Sequence, residues 1–115
     1  VYEYLEYTQK TEQEIAAKIC GNEHDGVFCA AGEWMSVAIM AKAYSMSIMV
    51  PERLKIITVD DSGRIAESLG LTAIRQPVYQ MASTALKMAV EAAKTGEIIK
   101  PNVIFKPEII VRKTA

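Results

Sequence analysis

Along the chain, short β-branched or aromatic runs alternate with longer stretches whose apolar positions recur at helical spacing. Residues 1–7 set Tyr2, Tyr4, Leu5 and Tyr7 against Glu3 and Glu6, which predicts a strand with one wet side. Thr11-Glu12-Gln13-Glu14 has the form of a capping box, with Thr11 as N-cap and Glu14 three residues on. The helix it opens runs to about Cys20, and Gly21-Asn22 supplies a left-handed stop. After a turn at His24-Asp25-Gly26, residues 26–29 read as a short apolar strand, and Ala30-Ala31-Gly32 bends the chain into a helix over 33–45. That helix carries Trp34, Met35, Val37, Ile39, Met40, Ala43 and Tyr44, leaving Lys42 as its clearly polar position. A helix without a wet face is buried on two sides, either between layers or in a subunit interface.

The same alternation continues. Val50-Pro51-Glu52-Arg53 is a turn, and 54–59 is a β-branched run ending at Asp60-Asp61. Asp61 or Ser62 can cap a short helix over 63–69, closed by Gly70, after which 71–75 is extended. Gln76-Pro77 marks a boundary, because the residue before proline avoids the helical region. From 78 to 95, Ala82, Ala85, Leu86, Ala89, Val90 and Ala93 draw an apolar stripe opposite Lys87, Glu91 and Lys94, and Gly96 ends it. Two extended pieces follow, 103–105 and 109–112, separated by Lys106-Pro107. Strand–helix alternation with short turns implies an α/β fold, a parallel sheet covered by helices on both faces.

Bulk properties narrow the class. With 115 residues, half of them apolar and 23% charged, one core-forming domain is expected. Thirteen Lys and Arg interleave with fourteen Asp and Glu for a net charge of −1, so no basic patch suits phosphate-backbone binding. No apolar run approaches the roughly 18–20 residues of a membrane span. The chain opens on Val1 rather than Met, as a fragment of a longer protein would. Cys20 and Cys29, without a CxxC pattern and with one histidine in the chain, suggest buried free thiols in a reducing cytosol. Neither a zinc site nor a cofactor is indicated, and the Met35, Met40, Met46 and Met49 set reads as packing.

In open parallel sheets, ligands bind beyond the carboxyl ends of the strands. Three segments meet that condition: Tyr7-Thr8, Ala30-Ala31-Gly32 and Asp60-Asp61. A carboxylate ending a buried strand is costly unless paired, and two neighbouring sugar hydroxyls would pair with Asp60. Equally, both aspartates can simply cap the next helix. Tyr7 offers a flat face for stacking on a sugar ring, or else serves as a core or rim aromatic. The Ala30–Gly32 bend exposes backbone N–H groups with little steric cover. No GxGxxG, no Walker lysine and no nucleophile–base pairing occurs, so an enzyme is not supported.

These pieces together resemble a known family. Asp25-Gly26-Val27-Phe28-Cys29-Ala30, an apolar helix, Val50-Pro51-Glu52, the run IITVDD over 56–61, LTAIRQP over 71–77 and PEIIVRKT over 107–114 occur in the order of the lactose-repressor/galactose-repressor (LacI/GalR) effector domain. The similarity covers essentially the whole chain. It implies a periplasmic-binding-protein-like fold whose two lobes hold a small molecule, often a sugar, in a cleft. By position in that pattern, Asp60 matches an aspartate that bonds effector hydroxyls. Ala31 falls where many members carry an effector-contacting asparagine, Tyr7 near a stacking aromatic, and Val78 at a ligand-facing position. Two departures stand out. Ala31-Gly32 lacks the asparagine–aspartate pair, and Thr58-Val59 replaces a glycine–aromatic pair.

The resemblance further implies an organisation. Residues 1–77 would form the C-terminal lobe, 78–100 a helix that packs in the N-terminal lobe, and 101–115 the crossover and final strand. A DNA-binding head would lie outside this chain. The implied function is allosteric sensing by a cytoplasmic repressor, with a sugar effector, a homodimer, operator DNA contacted through another domain, and no membrane. Met40 and Tyr44 on the 33–45 helix, with the 70–72 segment, are the candidate dimer contacts. Two alternatives share the fold: a periplasmic or extracellular sugar-binding protein of an ABC transporter, and the effector domain of a regulator with a GntR-type head.

Overall fold

The computed structural model describes residues 8–97 and 102–115, so the predicted strand over 1–7, including Tyr7, lies outside the described residues. The element order is α1 (Gln9–Gly21), β1 (Gly26–Cys29), α2 (Glu33–Ser45), β2 (Lys55–Val59), α3 (Ile65–Leu69), β3 (Thr72–Arg75), α4 (Val78–Thr95) and β4 (Glu108–Ile110). The four strands form one sheet in the order β1-β2-β3-β4. β1 runs parallel to β2 with Cys29 opposite Thr58, and β2 runs parallel to β3 with Val59 opposite Ile74. The expected α/β class with a parallel sheet is what the chain adopts.

Contact density divides the chain into two compact units, with boundaries at Arg75/Gln76 and Glu108/Ile109. In the first unit, α1 and α2 pack on each other and α2 lies on β1 and β2. Ala16, Ile19 and Cys20 of α1 meet Met35, Ile39 and Ala43 of α2, and the core continues through Cys29, Leu54, Ile56, Leu71 and Ala73. Both cysteines are buried free thiols, and burial pushes each thiol up from its ordinary pKa. The C-terminal tail is stitched into the start of the sheet. Ile56 N–H donates to the Thr114 carbonyl at 2.7 Å, while the Thr114 hydroxyl donates to the Ile56 carbonyl and accepts from Thr72 N–H at 2.7 and 2.8 Å.

Several local expectations need correction. The N-cap of α1 is Thr8, not Thr11: Thr8 is extended and Thr11 answers it from the third helical position, each hydroxyl taking the other residue's N–H. Either threonine could cap, and the reciprocal bonds select the earlier one. Asn22 ends α1 in an extended rather than left-handed conformation. α3 begins later than expected and has no side-chain cap, because Asp61 and Ser62 are engaged elsewhere. Residues 102–107 form no strand.

The 33–45 helix is not buried on two sides of this unit. Met35, Ser36, Ile39 and Ala43 point inward, but Trp34 is 64% and Tyr44 88% exposed. Met40 is partly buried against the core, whereas Met46 and Met49 are exposed instead of packed. Gly70, Leu71 and Thr72, expected at a dimer surface, are already buried inside the unit.

In the second unit, α4 ends at Gly96 in the left-handed conformation, as the sequence predicts. None of its residues is buried. Leu86 and Val90 of the predicted stripe, together with Val78 and Tyr79, stand exposed.

Candidate functional site at the strand ends

Parallel pairing brings the carboxyl ends of β1, β2 and β3 to one edge of the sheet, which is where a ligand of this fold class is held. β1 leads into Ala30-Ala31-Gly32, with Ala30 and Ala31 exposed. Gly32 has φ 87° and ψ −172°, a combination essentially restricted to glycine. That conformation turns the chain within one residue so that α2 can start at Glu33. Among the described residues no side chain caps this helix start.

β2 ends at Val59, one residue earlier than the acidic pair. Asp60 therefore lies past the strand, exposed, with a left-handed backbone at φ 70° and its N–H donating to the Ile74 carbonyl at 3.1 Å. A methyl group added to Gly32 would sit 3.8 Å from Asp60 Oδ2, so the carboxylate faces the bend. Of the predicted site residues, the structure thus brings Asp60 and Ala31 to the same edge. Val78 opens α4 in the second unit and is exposed.

The buried carboxylate at this strand end is Asp61, whereas Asp60 is exposed. The Asp61 side chain is 0% exposed and pairs with two arginines. Arg75 donates through Nε and Nη2 to Oδ2 at 3.0 and 2.7 Å. Arg112 donates through Nη2 to Oδ1 and Oδ2 at 3.1 and 2.9 Å. Burial on its own would raise the carboxyl pKa, but the hydrogen bonds and charges of Arg112 and Arg75 outweigh it and hold the group below its ordinary range. Ser62 donates its N–H and hydroxyl to Glu33, both at 2.7 Å. The idea that Asp61 or Ser62 caps α3 fails because both are committed to these longer-range partners.

Sequence reading missed the roles of Glu33, Arg75 and Arg112. The only sequence signal was a charge at the end of each of three predicted elements, and nothing local paired them. Chemically, the edge offers a carboxylate acceptor beside backbone N–H donors, with small side chains between. Among the described residues no group of His, Cys, Asp and Glu is arranged to hold a metal. No described helix is long and apolar enough to cross a membrane.

Comparison with known proteins agrees with this fold. A family model described as a periplasmic binding protein-like domain matches residues 2–115. Catabolite control protein A of Staphylococcus aureus is 30% identical over 100 residues, 85% of this chain and 30% of that protein. The HTH-type transcriptional regulator MalR of Streptomyces coelicolor is 28% identical over 107 residues, 92% of this chain and 31% of that protein. The chain therefore spans about a third of the length of these relatives.

Two solved structures share the fold. A CelR transcriptional regulator–cellobiose complex superposes with a TM-score of 0.84 at 19% identity, covering 100% of this chain and 37% of that one. A LacI family regulator from Lactobacillus casei with bound sucrose gives 0.77 at 18%, covering 95% and 41%. By the family match over nearly its full length, the chain belongs to the periplasmic binding protein-like domain family.

Proposed function

We propose that this chain is the effector-sensing part of a cytoplasmic LacI/GalR-type repressor, which captures a sugar and thereby changes DNA binding by another part of the protein. The observation that carries this reading is the Asp60 carboxylate beside the Ala30–Gly32 bend at the carboxyl edge of the sheet. An ionised carboxylate accepts two hydrogen bonds side by side, which neighbouring sugar hydroxyls supply. The small side chains at positions 30–32 let the ring approach the uncapped start of α2, whose N–H groups can donate to a hydroxyl oxygen. Tyr7 would add a stacking face and Val78 an apolar contact.

The proposed chemistry is binding alone: no bond is made or broken. Homodimer formation accompanies this reading because two-fold operators call for paired heads. Exposed Tyr44 and half-buried Met40 on α2 are its proposed contacts. Glucose, ribose, sucrose and cellobiose, the sugars of related regulators, are the first effectors to try on the intact protein. A binding sugar raises the melting temperature progressively, following RT ln(1 + [L]/Kd), and emerges chemically unchanged. Consumption of the sugar would replace the sensor with an enzyme.

A further inference from the structure

Residues 60–62 are held one after another by three different parts of the first unit. The Asp60 N–H bonds to Ile74 of β3, Asp61 receives Arg75 and Arg112, and Ser62 bonds to Glu33 at the start of α2. Arg75 is the last residue before the chain leaves this unit, and Arg112 lies in the segment by which it returns. The returning arginine is fixed again by its own contacts. Its Nη1 donates to the Leu71 carbonyl at 2.7 Å, and its N–H donates to the Thr72 hydroxyl at 3.0 Å. One buried carboxylate therefore joins the outgoing and returning chain, one peptide away from Asp60.

We propose that Asp61 is a positioning residue that couples occupancy at Asp60 to the two chain crossovers at Arg75 and Arg112. The proposal rests on the sensor reading above. An exposed ion pair would rearrange freely when its loop moved. This one is more constrained, because the Asp61 side chain is 0% exposed. Arg112, 16% exposed, sets Nη2 against both carboxylate oxygens, and Arg75, although 47% exposed, sets Nε and Nη2 on Oδ2. A shift of the Asp60–Asp61 peptide carries the arginines with it or breaks charged hydrogen bonds, of which those to Arg112 are the ones largely shielded from water. A ligand that favours one arrangement of Asp60 thereby favours one arrangement of both crossovers, which is the differential hold a population shift needs.

The test uses the intact protein and three variants, Asp61→Asn, Arg112→Lys and Asp60→Asn. Calorimetry with glucose, ribose, sucrose and cellobiose finds the sugar that the parent protein binds. Hydrogen exchange is then followed at the Gln76, Val78, Ile109 and Val111 amides with and without it. Sugar should slow exchange there by about tenfold in the parent, a typical coupling. Asp61→Asn should keep the sugar affinity within about threefold yet lose that slowing, as a broken coupling of this size would. Arg112→Lys, which keeps the charge and loses the fork, should behave alike and serves if Asp61→Asn does not fold.

An undiminished slowing in both variants overturns the proposal, as does a loss of affinity equal to that of Asp60→Asn. If none of the four sugars binds the parent, it is the sensor reading that fails. The link is then judged without ligand, from a Glu33→Gln and Asp61→Asn double-mutant cycle in exchange at Gln76 and Ile109. Non-additive rates support it, and additive rates refute it.

Discussion

Arg112 Nη2 lies 3.1 and 2.9 Å from the two carboxylate oxygens of Asp61, a residue 51 positions earlier in the chain. This contact ties the tail to the loop after β2, and Arg75 completes the cluster from the end of β3. Removing the buried carboxylate leaves Arg112, 16% exposed, charged and largely desolvated, whereas Arg75, 47% exposed, turns to water. Asp61→Ala should therefore destabilise the protein by roughly 3 kcal/mol. Urea unfolding monitored by circular dichroism measures it; a loss below about 0.5 kcal/mol would mean that the pair is solvated.

Acid should act through the same carboxylate. Its pKa is lower folded than unfolded, since the two arginines more than offset the effect of burial. The stabilisation is therefore fully present above the unfolded value of about 3.9 and disappears as pH falls through the lower folded value. Unfolding free energy should drop as pH falls below about 4, and in Asp61→Asn that acid limb should be shallower.

Asp60 is exposed, so its replacement should spare the fold and strike the ligand. Asp60→Asn is expected to keep the parent melting temperature and to weaken sugar binding by about 1.5–3 kcal/mol, the worth of charged hydrogen bonds. Calorimetry that returns an unchanged affinity would remove Asp60 from the site.

Gly32 adopts a backbone conformation that a Cβ opposes, although the space beside it is open to an ordinary contact. Gly32→Ala should cost about 1–3 kcal/mol of stability through backbone strain. A neutral result in thermal unfolding would show that the bend relaxes at no cost.

On α2, Tyr44 is almost fully exposed whereas Met40 leans on the core. Tyr44→Glu is thus the cleaner probe of a dimer, because it buries no charge in the unit itself. Sedimentation velocity should show monomers; an unchanged dimer would place the contact elsewhere. Met40→Glu should also lower stability, since a carboxylate is costly beside Ile39 and its neighbours.

Much of the fold could be read in advance, since β1, α2 and α4 occupy the residues that apolar spacing and the Gly and Pro breaks assign to them. The candidate edge was legible too, because a parallel sheet collects its strand ends. Cap choice at Thr8 was not, since two threonines three residues apart compete on equal local terms. The strand over 1–7 and Tyr7 lie outside the described residues, so the stacking role stays with the proposal.

What the sequence alone determines is the alternation of elements, because strand and helix periods are local and each is set by a few neighbouring residues. Only the tertiary structure decides which of two adjacent aspartates is buried. Asp61 meets partners 14 and 51 positions away, and Thr114 bridges backbone groups 42 and 58 positions away. Such distances are closed by strand register and packing. The chain itself offers Asp60 as the strand-end carboxylate and Asp61 as a helix cap; in the fold Asp60 is the exposed one and Asp61 anchors the tail.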